Sequence, residues 1–416
     1  MKPTRILLAI AMAAGTSMAS NAVDPISEVV PGRPDSSEVA RAHQDVRIGA
    51  PRTVAQSVDL DSHRSTGNLF AAVAWSDGWS MNISTDGGAS WQETYFYPSA
   101  SDISMKVGGD FVWVAYASSA VPSALRMRRF SADTGASDTV YNYQTIENIH
   151  PATVVDVAMT SNADDVDSGI YIACIGSDNA AYFFWDNLDG TSFDPYHPAV
   201  TDAEGDLDIT INPDFGSGYF MFMSFQGSGF ARVWRLPLFG AWEHTSTTLT
   251  NGDNPFTAIS AFEDTVVTVV EADFTHGNGI RQFVNTNAGA AGDWAGETVF
   301  YPYDATIPDA AGPDVSVRSP YGSIVTFQLE EGAFDGVYYR YRSGHGPGGF
   351  GAHVLINEID AASQEQTTVE WLGARCVSSY GIVYLSGGDF IPYFDLMSPR
   401  GFFCDGFETA DTSGWD

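Results

Sequence analysis

Residues 84–91 read Ser-Thr-Asp-Gly-Gly-Ala-Ser-Trp, and this stretch decides the fold class. Asp86 is suited to accept backbone N–H groups within a tight hairpin, and Gly88 suits a backbone conformation with positive φ. Trp91 supplies a large ring to cover the core of the sheet. The stretch therefore predicts a hairpin between two strands, in which Ser84, Asp86, Gly88 and Trp91 have structural roles.

The chain on both sides of this hairpin repeats with a period of about 50 residues, as repeat architectures do. Each unit opens with alternating apolar positions, and an acidic residue stands at this opening in six of the seven units. A turn and a second strand rich in β-branched and aromatic residues follow. No window has sustained helical periodicity, so we expect little helix. The openings are Val58–Leu60, Asp102–Met105, Asp156–Met159, Leu207–Ile211, Ala258–Phe262, Asp314–Val317 and Val369–Leu372.

The stretch at 84–91 matches S-x-D-x-G-x-[ST]-W at every fixed position, and here the chain resembles the Asp-box (BNR-repeat, sialidase-like) β-propellers. A decayed copy covers residues 131–137, with Asp138 in place of the tryptophan, and looser echoes occur at 189–193, 240–242 and 287–289. The resemblance implies that the box lies between the third and fourth strands of a blade, on the rim away from the central cavity.

Seven openings predict an all-β fold, a seven-bladed β-propeller of four-stranded antiparallel blades. The last unit has clear candidates for only three strands, so residues 46–54 are expected to supply the fourth strand and close the ring. Six blades, the usual number in sialidases, is the alternative.

The two ends of the chain predict export. Lys2 and Arg5 precede an apolar stretch and small residues at 20–22, which is typical of a cleaved secretory signal over residues 1–22. Residues 23–44 are interpreted as a flexible leader, 45–400 as the propeller and 401–416 as a C-terminal tail. The tail resembles the D-G-F-E-x-x-D-T-S-x-W tails of secreted bacterial proteins, which implies a sorting or surface role; the alternative is a tail that docks on the propeller. We expect a secreted or cell-surface bacterial protein.

The charge of the chain limits its binding partners, and its cysteines limit the disulfides that it can form. The chain has 52 acidic and 19 basic residues, a formal net charge of −33. Nucleic acid is an unsuitable partner because phosphate binding needs clustered Lys and Arg, and no apolar run is long enough for a membrane-spanning helix. Cys174 lies in an apolar run and is expected to be a buried free thiol, whereas Cys376 and Cys404 are the candidates for a disulfide.

An acidic ring is the candidate ligand or cation site. Six blades carry an acidic residue at the entry of the first strand, namely Asp59, Asp102, Asp156, Asp208, Asp314 and Glu370. Oxygen ligands that converge on one axis suit a hard cation such as calcium. The alternative is that each carboxylate accepts hydrogen bonds from the backbone of the next blade.

These features predict a secreted, non-catalytic propeller that binds a glycan, a cation or another protein at the mouth of the central tunnel. A divergent, sialidase-like glycoside hydrolase is the alternative. That activity would need an arginine cluster to hold a carboxylate, but the F-R-I-P segment of sialidases is absent. Residues 234–237, Trp-Arg-Leu-Pro, share only its R-x-P pattern.

Overall fold

The computed structural model describes residues 46–397 with internal gaps. The gaps are 51, 64, 99, 101, 119–124, 144–153, 162–169, 187–193, 202, 212–219, 228–229, 238–242, 246–256, 263–265, 274–278, 288–292, 301–309, 318–321, 330–335, 344–353, 358–366, 372–379 and 387–390. The expected signal peptide, leader, C-terminal tail and Cys376–Cys404 pair therefore lie outside the described residues, and these expectations stay predictions.

The described chain is built from β-strands. Their bounds are β1 Val46–Arg47, β2 Ala55–His63, β3 Asn68–Trp75, β4 Gly78–Ser84, β5 Gln92–Pro98, β6 Asp102–Gly108, β7 Phe111–Ala117, β8 Leu125–Ser131, β9 Ser137–Tyr143, β10 Val154–Ser161, β11 Ile170–Gly176, β12 Ala180–Asp186, β13 Asp194–Thr201, β14 Ala203–Ile211, β15 Phe220–Gly227, β16 Phe230–Pro237, β17 Glu243–His244, β18 Thr257–Phe262, β19 Val266–Asp273, β20 Gly279–Asn285, β21 Trp294–Phe300, β22 Ala310–Ser316, β23 Gly322–Leu329, β24 Gly336–Ser343, β25 Val354–Asn357, β26 Thr367–Trp371, β27 Tyr380–Ser386 and β28 Ile391–Met397. No helix long and apolar enough to cross a membrane occurs within these ranges.

The strands form four-stranded antiparallel sheets, and the described strands give seven of them. Sheet 1 is β2–β5, sheet 2 is β6–β9, sheet 3 is β10–β13, sheet 4 is β14–β17, sheet 5 is β18–β21 and sheet 6 is β22–β25, each in chain order. Sheet 7 has the order β1-β28-β27-β26 and so joins the first described strand to the last three. The predicted all-β propeller of four-stranded antiparallel blades is confirmed.

The sheets pack face to face, so the second strands are buried on both sides. In β3, Phe70, Ala72 and Ala74 belong to a core shared with sheet 2, which includes Met105 and Val114. The alternate residues of the same strand belong to a core shared with sheet 7. Because a strand presents successive side chains to opposite faces, this double burial explains the continuous apolar runs of the second strands.

Ring closure uses less of the N-terminal segment than the sequence predicts. Residues 46–54 were expected to form the fourth strand of the last unit, but only Val46 and Arg47 pair with β28. Ile48 adds one backbone hydrogen bond to Pro392 at 2.9 Å. Gly49 then has a φ of 72°, a left-handed conformation that turns the chain away from β28. The prediction that this segment supplies the fourth strand and closes the ring is therefore confirmed, and the strand itself is limited to Val46 and Arg47.

Cys174 is free and fully buried in β11, as its apolar surroundings predict. Burial is the main reason that the pKa of its thiol is raised above the usual range. The raised pKa disfavours the thiolate, which is the reactive form of cysteine. Cys174 is therefore part of the core between sheets 2 and 3.

Candidate functional site

The first strands of all seven sheets line one polar channel. Two cavities of about 110 Å³ each lie along it, and their walls share Asp59, Ser104, Asp208, Asp314 and Thr368. Each volume is well below the roughly 300–1,000 Å³ of pockets that enclose a small organic ligand. Each cavity therefore has room for water or a small ion.

Four of the predicted ring carboxylates link each first strand to the next one. The Oδ2 atom of each accepts a backbone N–H from the following sheet: Asp59 from Met105 at 2.6 Å, Asp102 from Val157 at 2.9 Å, Asp208 from Ile259 at 2.7 Å and Asp314 from Val369 at 2.7 Å. In Asp59, Asp208 and Asp314, Oδ1 accepts the N–H of the next residue in the chain, at 2.7 Å in each case. These carboxylates thus hold neighbouring sheets together, which is the alternative interpretation of their recurrence.

The other two predicted ring residues differ in what the structure describes. The Oδ1 atom of Asp156 accepts the Val157 N–H at 2.9 Å, and its carboxyl group also hydrogen-bonds with that of Asp102. Glu370 lies on β26 opposite Gly381, and its side chain is outside the described residues. The structure therefore brings Asp156 beside Asp102 in the wall of the channel.

A second row of polar residues, which the sequence analysis missed, lies deeper in the channel. Asp61 accepts the Val107 N–H at 2.7 Å, and the hydroxyls of Ser104 and Ser260 accept the N–H groups of Met159 and Val317, each at 3.0 Å. Their sequence signal is a polar residue two positions after the entry position, hence on the same face of the strand. The signal is present in the pairs Asp59/Asp61, Asp102/Ser104 and Ala258/Ser260.

Burial changes the titration of the ring. The pKa of Asp59 is raised chiefly by burial, while the charge of Lys106 and the N–H donors oppose the shift. Burial also raises the pKa of Asp102, against the hydrogen bonds from Asp156 and Val157. Accepted N–H bonds stabilise a carboxylate but leave fewer lone pairs for a metal ion. Among the described residues, no group of three or more His, Cys, Asp or Glu is arranged to hold a metal, and a cation at the ring stays a prediction.

The hairpin at residues 84–91 lies between β4 and β5, the third and fourth strands of sheet 1. Exposed Asp86 accepts hydrogen bonds at Oδ1 from the Ser84 hydroxyl at 2.8 Å and the Ser90 N–H at 2.9 Å, and at Oδ2 from the Ser90 hydroxyl at 2.6 Å. The Ser84 hydroxyl also accepts the Gly88 N–H at 2.8 Å. The bonds from Ser90 are the largest cause of the lowered pKa of Asp86, about 2. All of these contacts close the turn.

Trp91 packs on the core that sheet 1 shares with sheet 7, so it covers its own sheet, as predicted, and the neighbouring sheet as well. Its ring lies 5.3 Å from that of Phe394 in β28, in an edge-on arrangement. The Phe394 ring can approach because Gly88 has no side chain: a Cβ there would lie 2.0 Å from the ring atom Cε1. The contact with Phe394 was not predicted, because the closure of the ring is what brings β28 beside this hairpin.

The decayed copy occupies the equivalent hairpin of sheet 2, between β8 and β9. Gly135 has a φ of 67° and donates its N–H to the Ser131 carbonyl at 2.8 Å. The Asn68 side chain of sheet 1 donates to the carbonyls of Ala132 and Asp133, at 3.1 and 3.2 Å. Asp138, in place of the tryptophan, pairs with Arg129. The echoes at 189–193 and 240–242 lie outside the described residues.

A cluster of tyrosine and arginine side chains lies where sheet 1 meets sheet 2. Tyr95, Tyr97, Arg126 and Arg128 are its partly exposed members, and Tyr116 is its buried member. The Arg126 Nη1 atom donates to the Tyr97 hydroxyl at 3.2 Å, and the Arg128 guanidinium lies over the Tyr95 ring, 4.4 Å from its centroid. The rings of Tyr97 and Tyr116 are 5.9 Å apart. Burial is the largest cause of the raised pKa of Tyr116, about 12, so its hydroxyl stays protonated at neutral pH.

Strand register places this cluster at the end of the propeller where the first strands begin. Tyr116 lies level with Ile103 on one side and Arg126 on the other. Across sheet 1, Tyr97 pairs with Trp79 and Trp79 pairs with Ala74. Ala74 in turn pairs with Ser57 of the first strand. Ser57 and Ile103 line the channel. The tyrosine–arginine cluster and the channel mouth therefore share one face of the molecule.

The arginine of the Trp-Arg-Leu-Pro segment is held by a neighbouring strand. Arg235 in β16 donates Nε to Glu243 of β17 at 3.0 Å, a pairing within sheet 4. It therefore does not supply a free guanidinium for a substrate carboxylate.

No family model and no curated protein matches the chain. Similar solved structures include a protein of unknown function from Dyadobacter fermentans, 10% identical, which covers 86% of this chain and 100% of that chain with a TM-score of 0.52. A fungal lectin described as a six-bladed β-propeller from Aleuria aurantia is 10% identical, covers 73% and 93%, and has a TM-score of 0.46. The NanB sialidase from Streptococcus pneumoniae is 10% identical, covers 83% and 68%, and has a TM-score of 0.41. At this identity the likeness is one of fold.

Proposed function

We propose that the protein is a secreted, seven-bladed, non-catalytic propeller of the Asp-box kind that binds a glycan on the face where the first strands begin. Each four-stranded sheet is one blade of this ring. The observation that carries the proposal is the tyrosine–arginine cluster between sheets 1 and 2, where half-buried Tyr95 and Tyr97 rings and guanidinium groups lie together beside the channel mouth.

The chemistry of the tyrosine–arginine cluster suits a sugar. Tyr95 and Tyr97 are only partly buried, and each combines an apolar ring face with a hydroxyl. A sugar ring likewise has apolar C–H faces and a rim of hydroxyls, which Arg and Tyr side chains can bind through hydrogen bonds. Two neighbours with solved structures are lectins, one of them in complex with alpha methyl fucoside. The proposal rests on the tyrosine–arginine cluster, since the similarity to these lectins is one of fold alone.

Non-catalytic binding is favoured by the role of the channel carboxylates. Glycoside hydrolysis requires one carboxyl group as an acid and a second as a nucleophile or base beside the sugar. Asp59, Asp208 and Asp314 use both oxygens for N–H groups of the scaffold. Their geometry is that of structural acceptors.

A glycan array combined with product analysis tests the proposal. The purified full chain should retain a subset of immobilised glycans, and Tyr97→Ala should weaken retention. Mass spectrometry of the soluble forms of those glycans should find them intact after prolonged incubation. Cleaved products would favour the glycoside hydrolase, and a chain that retains no glycan would contradict the proposal.

A further inference from the structure

Lysine is rare in this chain. Two of its 19 basic residues are lysines, Lys2 and Lys106, and the rest are arginines. Lys2 falls within the expected signal peptide. Lys106 is on β6, two residues after Ser104 and four after Asp102, so it lies on the side of the strand that faces the channel. The one lysine that follows the expected signal peptide is therefore a channel residue.

Lys106 lines the deeper of the two channel cavities together with four carboxyl groups. The wall of this cavity contains Asp59, Asp61, Asp208 and Asp314, and among its described lining residues Lys106 is the one basic residue. Lys106 itself is half-buried. Asp61 is held beside it, because Asp61 Oδ2 accepts the N–H of Val107, the next residue of β6, at 2.7 Å. One ammonium group and four carboxyl groups thus surround a space of about 110 Å³.

The carboxylates of this wall are stabilised by a positive charge near them. Like charges in a partly buried site repel one another, since the surroundings screen them less than water does. Burial is the main cause of the raised pKa of Asp59, and the charge of Lys106 is the largest of the causes that oppose it. The backbone N–H groups that Asp59, Asp208 and Asp314 accept orient these side chains but add no net charge. In the described wall of the cavity, Lys106 therefore supplies the one full positive charge.

The size of the cavity explains why this residue is a lysine and not an arginine. An ammonium group is compact and ends a flexible chain, whereas a guanidinium is a wider planar fork. The cavity of about 110 Å³ has room for water or a small ion, and an ammonium group is comparable to these in size. Outside the channel, Arg129 pairs with Asp138 and Arg235 with Glu243. The chain thus uses lysine at the narrow channel and arginine for these pairs between strands.

We propose that the Lys106 ammonium group is the resident cation of the acidic channel and takes the place that a metal ion would otherwise occupy. The inference concerns the channel alone and does not depend on the proposed glycan site. The first strands of the ring then close around a positive charge that the chain itself provides. It follows that removal of the Lys106 side chain turns the deeper cavity into a binding site for a small organic ammonium ion.

The test removes the side chain and returns its charge from solution. The atoms that Lys106→Ala lacks correspond to n-propylammonium, which is added at constant ionic strength while the melting temperature is measured. Lys106→Ala should melt several degrees below the wild type. n-Propylammonium should restore most of this loss, with a saturable dependence on its concentration, as a ligand bound to the folded state does. Tetramethylammonium carries the charge without N–H donors, and 1-propanol carries the chain without the charge; neither should restore the loss.

Three further variants separate charge from packing. Lys106→Met fills the cavity with an uncharged side chain, so it should also melt earlier, but n-propylammonium should not restore it because the space is taken. Lys106→Arg keeps the charge and should be more stable than Lys106→Met. Thr210→Val changes another lining residue of the same cavity without altering its charge. It is the matched control, and its melting temperature should not respond to n-propylammonium.

The outcomes decide between a resident cation and a lysine that only fills space. A Lys106→Met variant as stable as the wild type would overturn the proposal. Equal restoration of Lys106→Ala by tetramethylammonium or 1-propanol would also overturn it, because general screening or filled space would then be sufficient. If Lys106→Ala does not fold, acetylation of the wild type with peptide mapping replaces the titration. Resistance of Lys106 in the folded protein, relative to the denatured chain, supports an ammonium group held among carboxylates, and equal reactivity contradicts it.

Discussion

The Thr368 hydroxyl donates a hydrogen bond to the Val58 carbonyl at 2.9 Å, across a sequence separation of 310 residues. It joins the first strand of sheet 7 to that of sheet 1, close to the Asp314–Val369 link that connects sheets 6 and 7. The pairing of β1 with β28 provides a second closure at the outer edge of sheet 7. The ring is therefore closed both at its axis and at its rim.

Thr368→Val should weaken the closure at the axis. The substitution keeps the shape of the side chain but removes the donor to the Val58 carbonyl, which should lower the free energy of unfolding by about 1 kcal/mol. Thr368→Ser keeps the hydroxyl and is the matched control. Denaturant titration measures both; equal stability of the Val variant and the wild type would argue against an energetic role for this bond.

Gly88→Ala should destabilise the seam between sheets 1 and 7 strongly. Gly88 has a φ of 94°, and its Cβ would collide with the Phe394 ring; overpacking typically costs about 1–3 kcal/mol, in addition to backbone strain. Gly109→Ala is the control, because Gly109 has a φ of 58° with no atom within 4 Å of the added Cβ. We expect only the backbone cost there, about 1–2 kcal/mol. Thermal melting should rank Gly88→Ala below Gly109→Ala, and the reverse order would refute this packing.

Stability should have a maximum in mildly acidic solution. The pKa of Asp59 is raised in the folded protein, so its contribution is complete below the unfolded value of about 3.9 and is lost as the pH rises through the folded pKa. Asp86, with its pKa lowered to about 2, contributes above its unfolded value and loses that contribution as the pH falls toward 2. The melting temperature should therefore be highest in mildly acidic solution and should fall when the pH is either raised or lowered.

Two variants test which carboxyl group causes each decline in melting temperature. Asp59→Asn should flatten the decline toward neutral pH, and Asp86→Asn should flatten the decline toward low pH. An unchanged profile in Asp59→Asn would show that burial of this carboxyl does not control the stability there.

The sequence predicts the architecture well because every unit of the chain begins with the same pattern of alternating apolar positions. The openings from Val58 to Val369 all lie on first strands, and the Asp86 box lies in the predicted hairpin. The sequence could not show whether Asp102 and Asp208 bind a ligand or the next sheet, because the same carboxylate on the axis suits either role. The tyrosine–arginine cluster could not be predicted from the sequence either, since Tyr97 and Arg126 come together only when sheets 1 and 2 pack.

Calcium should not stabilise the ring beyond the effect of ionic strength, because the oxygens of Asp59, Asp208 and Asp314 already accept N–H bonds. A ligand at a hundredfold excess over its Kd would add about 2.7 kcal/mol, which thermal melting detects easily. Equal melting temperatures in calcium and in a chelator are expected. A rise that Asp102→Asn with Asp156→Asn abolishes would instead establish a cation at the predicted ring.

The central claim is that the channel carboxylates hold the propeller together while the glycan binds at the tyrosine–arginine cluster. The most direct test measures the affinity for a retained glycan and the melting temperature of two variants, Asp314→Ala and Tyr97→Ala. Asp314→Ala should melt earlier and, at a temperature at which it is folded, bind the glycan as the wild type does. Tyr97→Ala should reduce the affinity about tenfold or more, because it removes both the ring face and the hydroxyl that contacts Arg126. Loss of binding in folded Asp314→Ala, with undiminished binding in Tyr97→Ala, would place the ligand in the channel and contradict the account.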